Sequence, residues 1–375
     1  MKDRALLRKE FPVLSECVYL NSNSTGAFPR GGEEVLRRYW ETLADWRDDV
    51  WERWWQELHE TASDFGTLIG APLGTVVTDV NLTSLLARLA TSLDFSTGRR
   101  RVITTDLEFP TMEVLWRSAA RLGAELVVIP SNGVEVDQDA LHAAIDERTR
   151  LVCVSHATFG TGALLDAEAL VFAAHRVGAW VALDAYQSVG VVPIDVTEIG
   201  VDFLLGGAHK WLSGAPDLGF LYVRPALLRW LRPVTGWMSL DNPLTFAPSE
   251  TLTTTARRFA SGTPAVLPAI FSRVGLALLQ SVGVDAIREE SLARTERIIA
   301  RLDAAGMEVA TPRDPARRGG VVCVRHPDAD ELAQTLRAEG FVISVRGGLR
   351  IAPHYYNTDE EIDAFLDALV TLGAP

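Results

Sequence analysis

The chain contains only three lysines, Lys2, Lys9 and Lys210, against 33 arginines. A lysine amine becomes a nucleophile when burial lowers its pKa. If this protein uses a reactive amine, Lys210 is therefore the interior candidate. It follows His209 just beyond the apolar run VDFLLGG (201–207). Three other apolar runs also end in groups that can do chemistry. RRVITTD (100–106) leads to Glu108, Phe109, Pro110 and Thr111; RLVCVSH (150–156) closes on Ser155 and His156; AWVALDA (179–185) carries Asp184, with Gln187 one turn on.

These runs belong to a regular pattern. From about residue 72 to 224, β-branched apolar segments (also AELVVIP, 124–130, and LGFLYVR, 218–224) alternate with helical stretches such as TMEVLWRSAARLG and DAEALVFAAHRVG. Continuous apolar strands alternating with helices predict an α/β fold, a mostly parallel sheet flanked by helices. The short link between the last two runs predicts one antiparallel edge. Residues 31–70 read as amphipathic helix, with charged positions including Arg47 and Asp48 interleaved with five of the ten tryptophans. Residues 225–263 read as a long irregular connection, and further helix follows to about residue 306. The remainder mixes strands and helices as a smaller α+β domain. The division expected is 16–264 for a large cofactor-binding domain and 265–375, with 1–15, for the small one.

In open α/β sheets ligands sit beyond the carboxyl ends of the parallel strands. That edge would gather the amine of Lys210, the carboxylate of Asp184, the amide of Gln187, the imidazole of His156 and the ring of Phe109. The set suits pyridoxal phosphate, which needs an amine for a Schiff base and a carboxylate to keep its pyridine nitrogen protonated. Phe109 or His156 would stack on the ring, and Gln187 would bond its hydroxyl oxygen. Asn81, Leu82 and Thr83 stand at a predicted helix start, where backbone N–H groups bind phosphate. Each residue also has a plain reading: Asp184 as a helix N-cap, Thr83 or Ser84 likewise, Phe109 as core, His156 as a satisfied structural histidine, and Lys210 as a surface group. Their convergence on one edge favours the chemical reading. Neither GxGxxG after a strand nor GxxxxGK[ST] occurs.

Composition narrows the class. A net charge of −13 argues against nucleic-acid binding. Cys17, Cys153 and Cys323 are too scattered for a disulfide framework or zinc site, and the latter two lie in apolar runs that suit buried thiols. No metal site is expected. The first residues lack a signal-peptide pattern, and no window reaches the ~18 apolar residues of a membrane span. A cytoplasmic protein with no membrane contact is expected.

The segment LDAYQSVGVVPIDVTEIGVDFLLGGAHKWLSGAPDLGFLYV resembles the cofactor-lysine region of class V aminotransferases, within the fold-type I pyridoxal-phosphate enzymes. Asp184, Gln187, Asp195, Asp202, His209 and Lys210 match its pattern. VYLNSNSTGAFP resembles the family's N-terminal substrate-side segment, which implies Asn21 and Ser24 as substrate-binding residues. RRFASGTPAV resembles a stretch whose Gly-Thr, here Gly262 and Thr263, reaches the phosphate of a neighbouring subunit, implying a homodimer with its active site at the interface. LRIAPHYYNTDEEIDAFLDAL resembles the C-terminal segment whose arginine, here Arg350, forks onto the substrate carboxylate. The likeness spans effectively the whole chain.

EFPT (108–111), SHATFGTGALLD (155–166) and GWMSL (236–240) are more similar to kynureninases and related lyases, which implies Phe109 stacked on the ring and Trp237 by the phosphate. Kynureninases carry a tyrosine where this chain has His209 and an arginine where it has Gly160. Cysteine desulfurases need a nucleophilic cysteine before the arginine motif, and residues 325–349 contain none. The reading is a pyridoxal-phosphate enzyme acting on an amino acid, with aminotransferase first. Kynureninase-like hydrolysis or C–S/β-lyase activity comes next, then epimerisation or a catalytically inert binding module. Trp51, Trp54, Trp55, Trp237 and Tyr355 suggest an aromatic pocket, though packing explains most of them equally well.

Overall fold

The computed structural model describes residues 4–46, 49–247 and 249–373. Its centre is a seven-stranded sheet: β2 (Val76–Asp79), β3 (Arg101–Thr105), β4 (Glu125–Ile129), β5 (Thr149–Ser155), β6 (Trp180–Asp184), β7 (Phe203–Gly207) and β8 (Gly219–Val223), in the order β2-β8-β7-β6-β5-β3-β4. β3 to β7 are parallel neighbours, and β8 is antiparallel to both β7 and β2. The antiparallel strand is thus one place inside the edge, not the edge itself. The four residues of β2 close the sheet beyond it.

Strand parity builds a core on each face. Val152, Val154, Val181, Leu183 and Leu204 join the core on one side. Their neighbours Leu151, Cys153, Ala182, Phe203 and Leu205 join the other. This double burial is why the runs are apolar throughout rather than alternating.

The stretch expected as one helix over 31–70 is two, Gly31–Ala44 and Val50–Leu68; Arg47 and Asp48 lie outside the described residues. Helices Val266–Val282 and Val284–Ala304 meet at Gly283 (φ 88°) with a 79° bend. No single helix among the described residues is long and apolar enough to cross a membrane. The segment 225–263 is irregular as expected, with one helical turn and three 3-10 turns.

The C-terminal part carries a third core around Leu336, Ile351 and Phe365. A four-stranded sheet there has the order β12 (Ser344–Val345), β13 (Leu349–Ile351), β10 (Val322–Arg325), β9 (Glu308–Val309). Two segments pack across the expected domain division. β1 (Val18–Tyr19) pairs with β11 (Phe341–Val342), and the helix Val266–Val282 sends Ala269, Leu276 and Leu279 into the main core.

Two acidic residues of the cofactor-lysine segment have structural positions. Asp195 caps the turn Val196–Ile199 by accepting from the amides of Thr197 and Glu198. Asp202, fully buried, accepts from the Val181 amide at 2.8 Å and pairs with His175 Nε2 at 2.9 Å and Arg224 Nη2 at 2.7 Å. Removing one partner of a buried charge pair leaves the rest uncompensated. Asp202→Ala should therefore lower stability by about 3–5 kcal/mol, read from the urea midpoint of the apoprotein.

Candidate active site

The carboxyl ends of β3, β5, β6 and β7 converge on a cavity of about 350 Å³. Its walls include Asn23, Ser24, Asn81, Leu82, Thr83, Phe109, Ser155, Asp184, Tyr186, Gln187, His209, Lys210, Arg346 and Arg350. Of the residues expected at the site, the structure brings together Lys210, Asp184, Gln187, His209, Phe109, Asn81, Leu82, Thr83, Ser24 and Arg350.

Lys210 Nζ lies 4.4 Å from the Tyr186 ring centroid and 6.0 Å from that of Phe109. Burial, reinforced by the nearby Arg350 charge and opposed by Asp184, lowers its pKa to about 8. Burial raises the Asp184 carboxyl above its ordinary value, against the Tyr186 amide, which donates to Oδ1 at 2.8 Å, and the Lys210 charge. His209 Nδ1 is 3.0 Å from the Tyr186 hydroxyl, and burial together with Lys210 pushes the imidazole down to about 4. Gln187 donates from Nε2 to the Asn23 carbonyl at 2.8 Å and accepts from Trp211 Nε1 at 3.1 Å.

The helix Leu82–Ser92 points its first turn at the cavity. Its cap is Asn81, whose Oδ1 accepts from the Ser84 amide at 2.8 Å, rather than Thr83 or Ser84. The helix start approaches β8 closely: a Cβ on Gly219 would lie 2.7 Å from Leu82 N. Opposite, Arg350 on β13 is nearly buried; its Nη1 donates to the Phe159 carbonyl at 2.8 Å, and its Nε has no partner. Burial, with Arg346 adding to it, lowers this guanidinium to about 10.

Several expected residues sit elsewhere. His156 is buried off the cavity walls, with Nδ1 3.0 Å from Ser188 Oγ. Successive strand residues face opposite ways, so Ser155 takes the wall and His156 does not. Burial pushes this imidazole down to about 4, which keeps it neutral. Asn21 bridges to Ala352 and is likewise off the wall; the turn after it delivers Asn23 and Ser24 instead. Trp237 stacks on Phe246 at 5.4 Å, and neither it nor Gly262 nor Thr263 lines the cavity within one chain. Trp54 packs with Val50 and Val266, Trp51 stands edge-on to it, Trp55 lies under Arg257, and Tyr355 packs on Phe11 and His354. Packing accounts for Trp51, Trp54 and Tyr355, whereas Trp55 lines a separate cavity with Met238 and Arg257.

Two further residues belong to the site. Tyr186 lies between Asp184 and Gln187 and lines the cavity. Glu108 stands at the strand end that the sequence marks but carries no role there; its carboxylate accepts from Thr105 Oγ1 at 2.8 Å, and from Ser155 N and Oγ at 2.8 and 2.5 Å. Burial and the Asp184 charge raise it to about 7 against these bonds. The thiols of Cys153 and Cys323 are buried, and Cys323 is pushed up to about 11 by burial. Among the described residues no group of three or more His, Cys, Asp or Glu could hold a metal.

The model of the aminotransferase class-V family matches residues 18–365. This chain belongs to the class-V aminotransferase family. It is 30% identical over 364 residues to an uncharacterized aminotransferase, YcbU, of Bacillus subtilis (strain 168), covering 96% of each chain. It is 29% identical to a kynureninase of Pseudomonas fluorescens, over 90% of this chain and 84% of the relative. Among solved structures, the apo cysteine desulfurase of Thermococcus onnurineus NA1 superposes with a TM-score of 0.88 at 23% identity, covering 100% of this chain and 98% of the other. A cystine C–S lyase, C-DES, bound to cysteine persulfide, gives 0.88 at 22% identity over 96% and 99%. These likenesses carry the fold-type I architecture.

Pyridoxal 5′-phosphate is the cofactor of this class-V enzyme. The cavity fits it. It offers a buried amine, a buried carboxyl, a capped helix start and an aromatic ring, and the Asn23 Nδ2 and Arg350 Nε donors on its walls have no protein partner. A free amine attacks an aldehyde and an ammonium does not. Cofactor attachment to the apoprotein should therefore accelerate as pH rises through about 8 and level off above it. Stopped-flow absorbance of apoprotein mixed with cofactor checks this, and Lys210→Ala should stay colourless after desalting.

Proposed function

We propose that this class-V enzyme is an aminotransferase acting on an amino acid through Lys210. When bound, pyridoxal phosphate withdraws the electron pair left on the substrate α-carbon. Asp184 would keep the pyridine nitrogen protonated, Gln187 would bond the ring hydroxyl, and the helix start at Asn81, Leu82 and Thr83 would receive the phosphate. Arg350 turns its free Nε and its remaining N–H groups to the α-carboxylate, with Ser24 beside it on the same wall. Lys210 would take the substrate α-proton as general base and would be the group that delivers a proton back.

The observation that carries this reading is the wall's proton-transfer inventory. Lys210, at about 8, is poised near neutrality, whereas His209, at about 4, stays neutral and tied to Tyr186. A single base moving a proton out and back is sufficient for transamination. The positions where kynureninases carry tyrosine and arginine hold His209 and Gly160, and a Cβ on Gly160 would meet nothing within 4 Å. That glycine is not imposed by packing, and the guanidinium is simply missing. In a homodimer, Trp237, Gly262 and Thr263, which stand off the cavity of their own chain, serve the phosphate of the neighbouring one.

A second reading, kynureninase-like hydrolysis or C–S lysis, is favoured by Phe109 of the F-P-T segment standing on the wall beside Lys210. A single-turnover panel separates the two. Holoenzyme mixed with common amino acids, L-kynurenine and L-cystine should lose its yellow colour and release one equivalent of a keto acid from a common amino acid. Alanine from kynurenine, or pyruvate from cystine with the colour retained, overturns the aminotransferase reading. With the best substrate, Arg350→Gln should raise KM by about 10- to 100-fold, the loss of a charge-assisted pairing, measured by steady-state kinetics.

A further inference from the structure

We propose that Tyr186 is the second aromatic wall of the cofactor ring, facing Phe109 across the Lys210 amine. This rests on the placement of the cofactor at Lys210. A planar ring joined covalently at Nζ would start one linking carbon from it, and both aromatic rings bound the space around that atom: the centroids of Tyr186 and Phe109 stand 4.4 and 6.0 Å from Nζ, and both side chains line the cavity.

Three features hold the Tyr186 ring there. Its own amide donates to Asp184 Oδ1 at 2.8 Å, so one turn carries both the aromatic face and the carboxylate. Its hydroxyl is 3.0 Å from His209 Nδ1, the residue preceding Lys210. Beneath it, β7 has no side chain: a Cβ on Gly207 would lie 2.0 Å from the phenol oxygen and the carbon bearing it. Glycine at 207 is thus the condition for a tyrosine at 186. The electron-rich face of a phenol attracts a cation, whether a protonated pyridine ring or the Lys210 ammonium once that amine is released. Phe109, about half exposed, covers the cavity from its open side, whereas Tyr186 is held from within.

The test compares Tyr186→Phe with Tyr186→Leu, with the apoprotein melting temperature as folding control. Two readouts are taken: cofactor Kd from absorbance titration, and the pH midpoint of Lys210 reductive methylation in the apoprotein, read by mass spectrometry. Tyr186→Leu should weaken cofactor binding about tenfold, the scale of an aromatic or cation–ring contact, and lower the Lys210 midpoint. Tyr186→Phe should stay within about twofold on binding, because the ring face survives. The proposal fails if Tyr186→Leu matches the parent on both readouts. It also fails if Tyr186→Phe is as weak as Tyr186→Leu, for then the hydroxyl link to His209 matters and not the ring. Should Tyr186→Leu not fold, Tyr186→Met, equally apolar and flexible, takes its place with the same expectations. Covalent cofactor retained by Lys210→Ala would instead overturn the placement on which this rests.

Discussion

Keeping one amine out of water is the constraint on which this site depends. An exposed lysine stays protonated across the physiological range and is chemically idle. Lys210 is drawn down to about 8 by burial and by the Arg350 charge, while Asp184 pulls the other way. The opposing effects leave an amine that can be charged or free near neutrality. Only a location where several chain segments meet at the end of a sheet can supply burial, a carboxylate and a guanidinium together. The carboxyl ends of parallel strands are such a location.

The bracing of that edge comes from both parts of the chain. Ser155 and Asp184 are direct partners in the β5–β6 register, and Glu108 ties Ser155 back to Thr105 at the end of β3. The N-terminal segment runs from its pairing with β11, through the Asn21–Ala352 bridge, to the Gly26 amide, which donates to the His209 carbonyl at 2.7 Å. Gln187 links this segment to Trp211, and Arg350 reaches from the C-terminal sheet to the Phe159 carbonyl. Arg350 and Lys210 are therefore held by one hydrogen-bonded frame, although 140 positions separate them in sequence.

Much of this was legible from the chain. Strands buried on both faces announce themselves as continuous apolar runs, and the strand-end positions located Asp184, Lys210 and Phe109. The misses follow from what a one-dimensional pattern omits. Val76–Asp79 is too short to stand out, so the sequence pattern puts an antiparallel strand at the edge, which β2 in fact covers. Of two adjacent polar residues, Ser155 and His156, parity sends only one to the cavity, and parity depends on where the strand stops. Asn21 and Asn23 fall in a run of turn-forming residues, Asn21 to Ser24, whose types do not say which side chains the turn faces to the cavity. The tryptophans of 31–70 suggested a pocket because aromatic rings suit pockets and cores alike. Tyr186 was hidden because its position depends on Gly207, a strand away, having no side chain.

The class-V frame hosts several reactions in related proteins, so what distinguishes this chain must lie in wall residues outside the shared lysine, aspartate and arginine. Sulfur transfer through an enzyme thiol needs a thiolate that can reach the substrate. Cys323 is directly opposite Arg350 on the neighbouring strand, yet it is buried off the cavity and pushed up to about 11, a protonated thiol locked in a sheet. Around the amine the wall interleaves polar groups with the apolar and aromatic side chains of Phe109, Phe159, Met112 and Tyr186, and burial dominates the Lys210 amine. In such surroundings the charges of Lys210, Asp184 and Arg350 act at short range with little screening. Proton transfer at Lys210 is then governed by the balance among those three groups rather than by solvent.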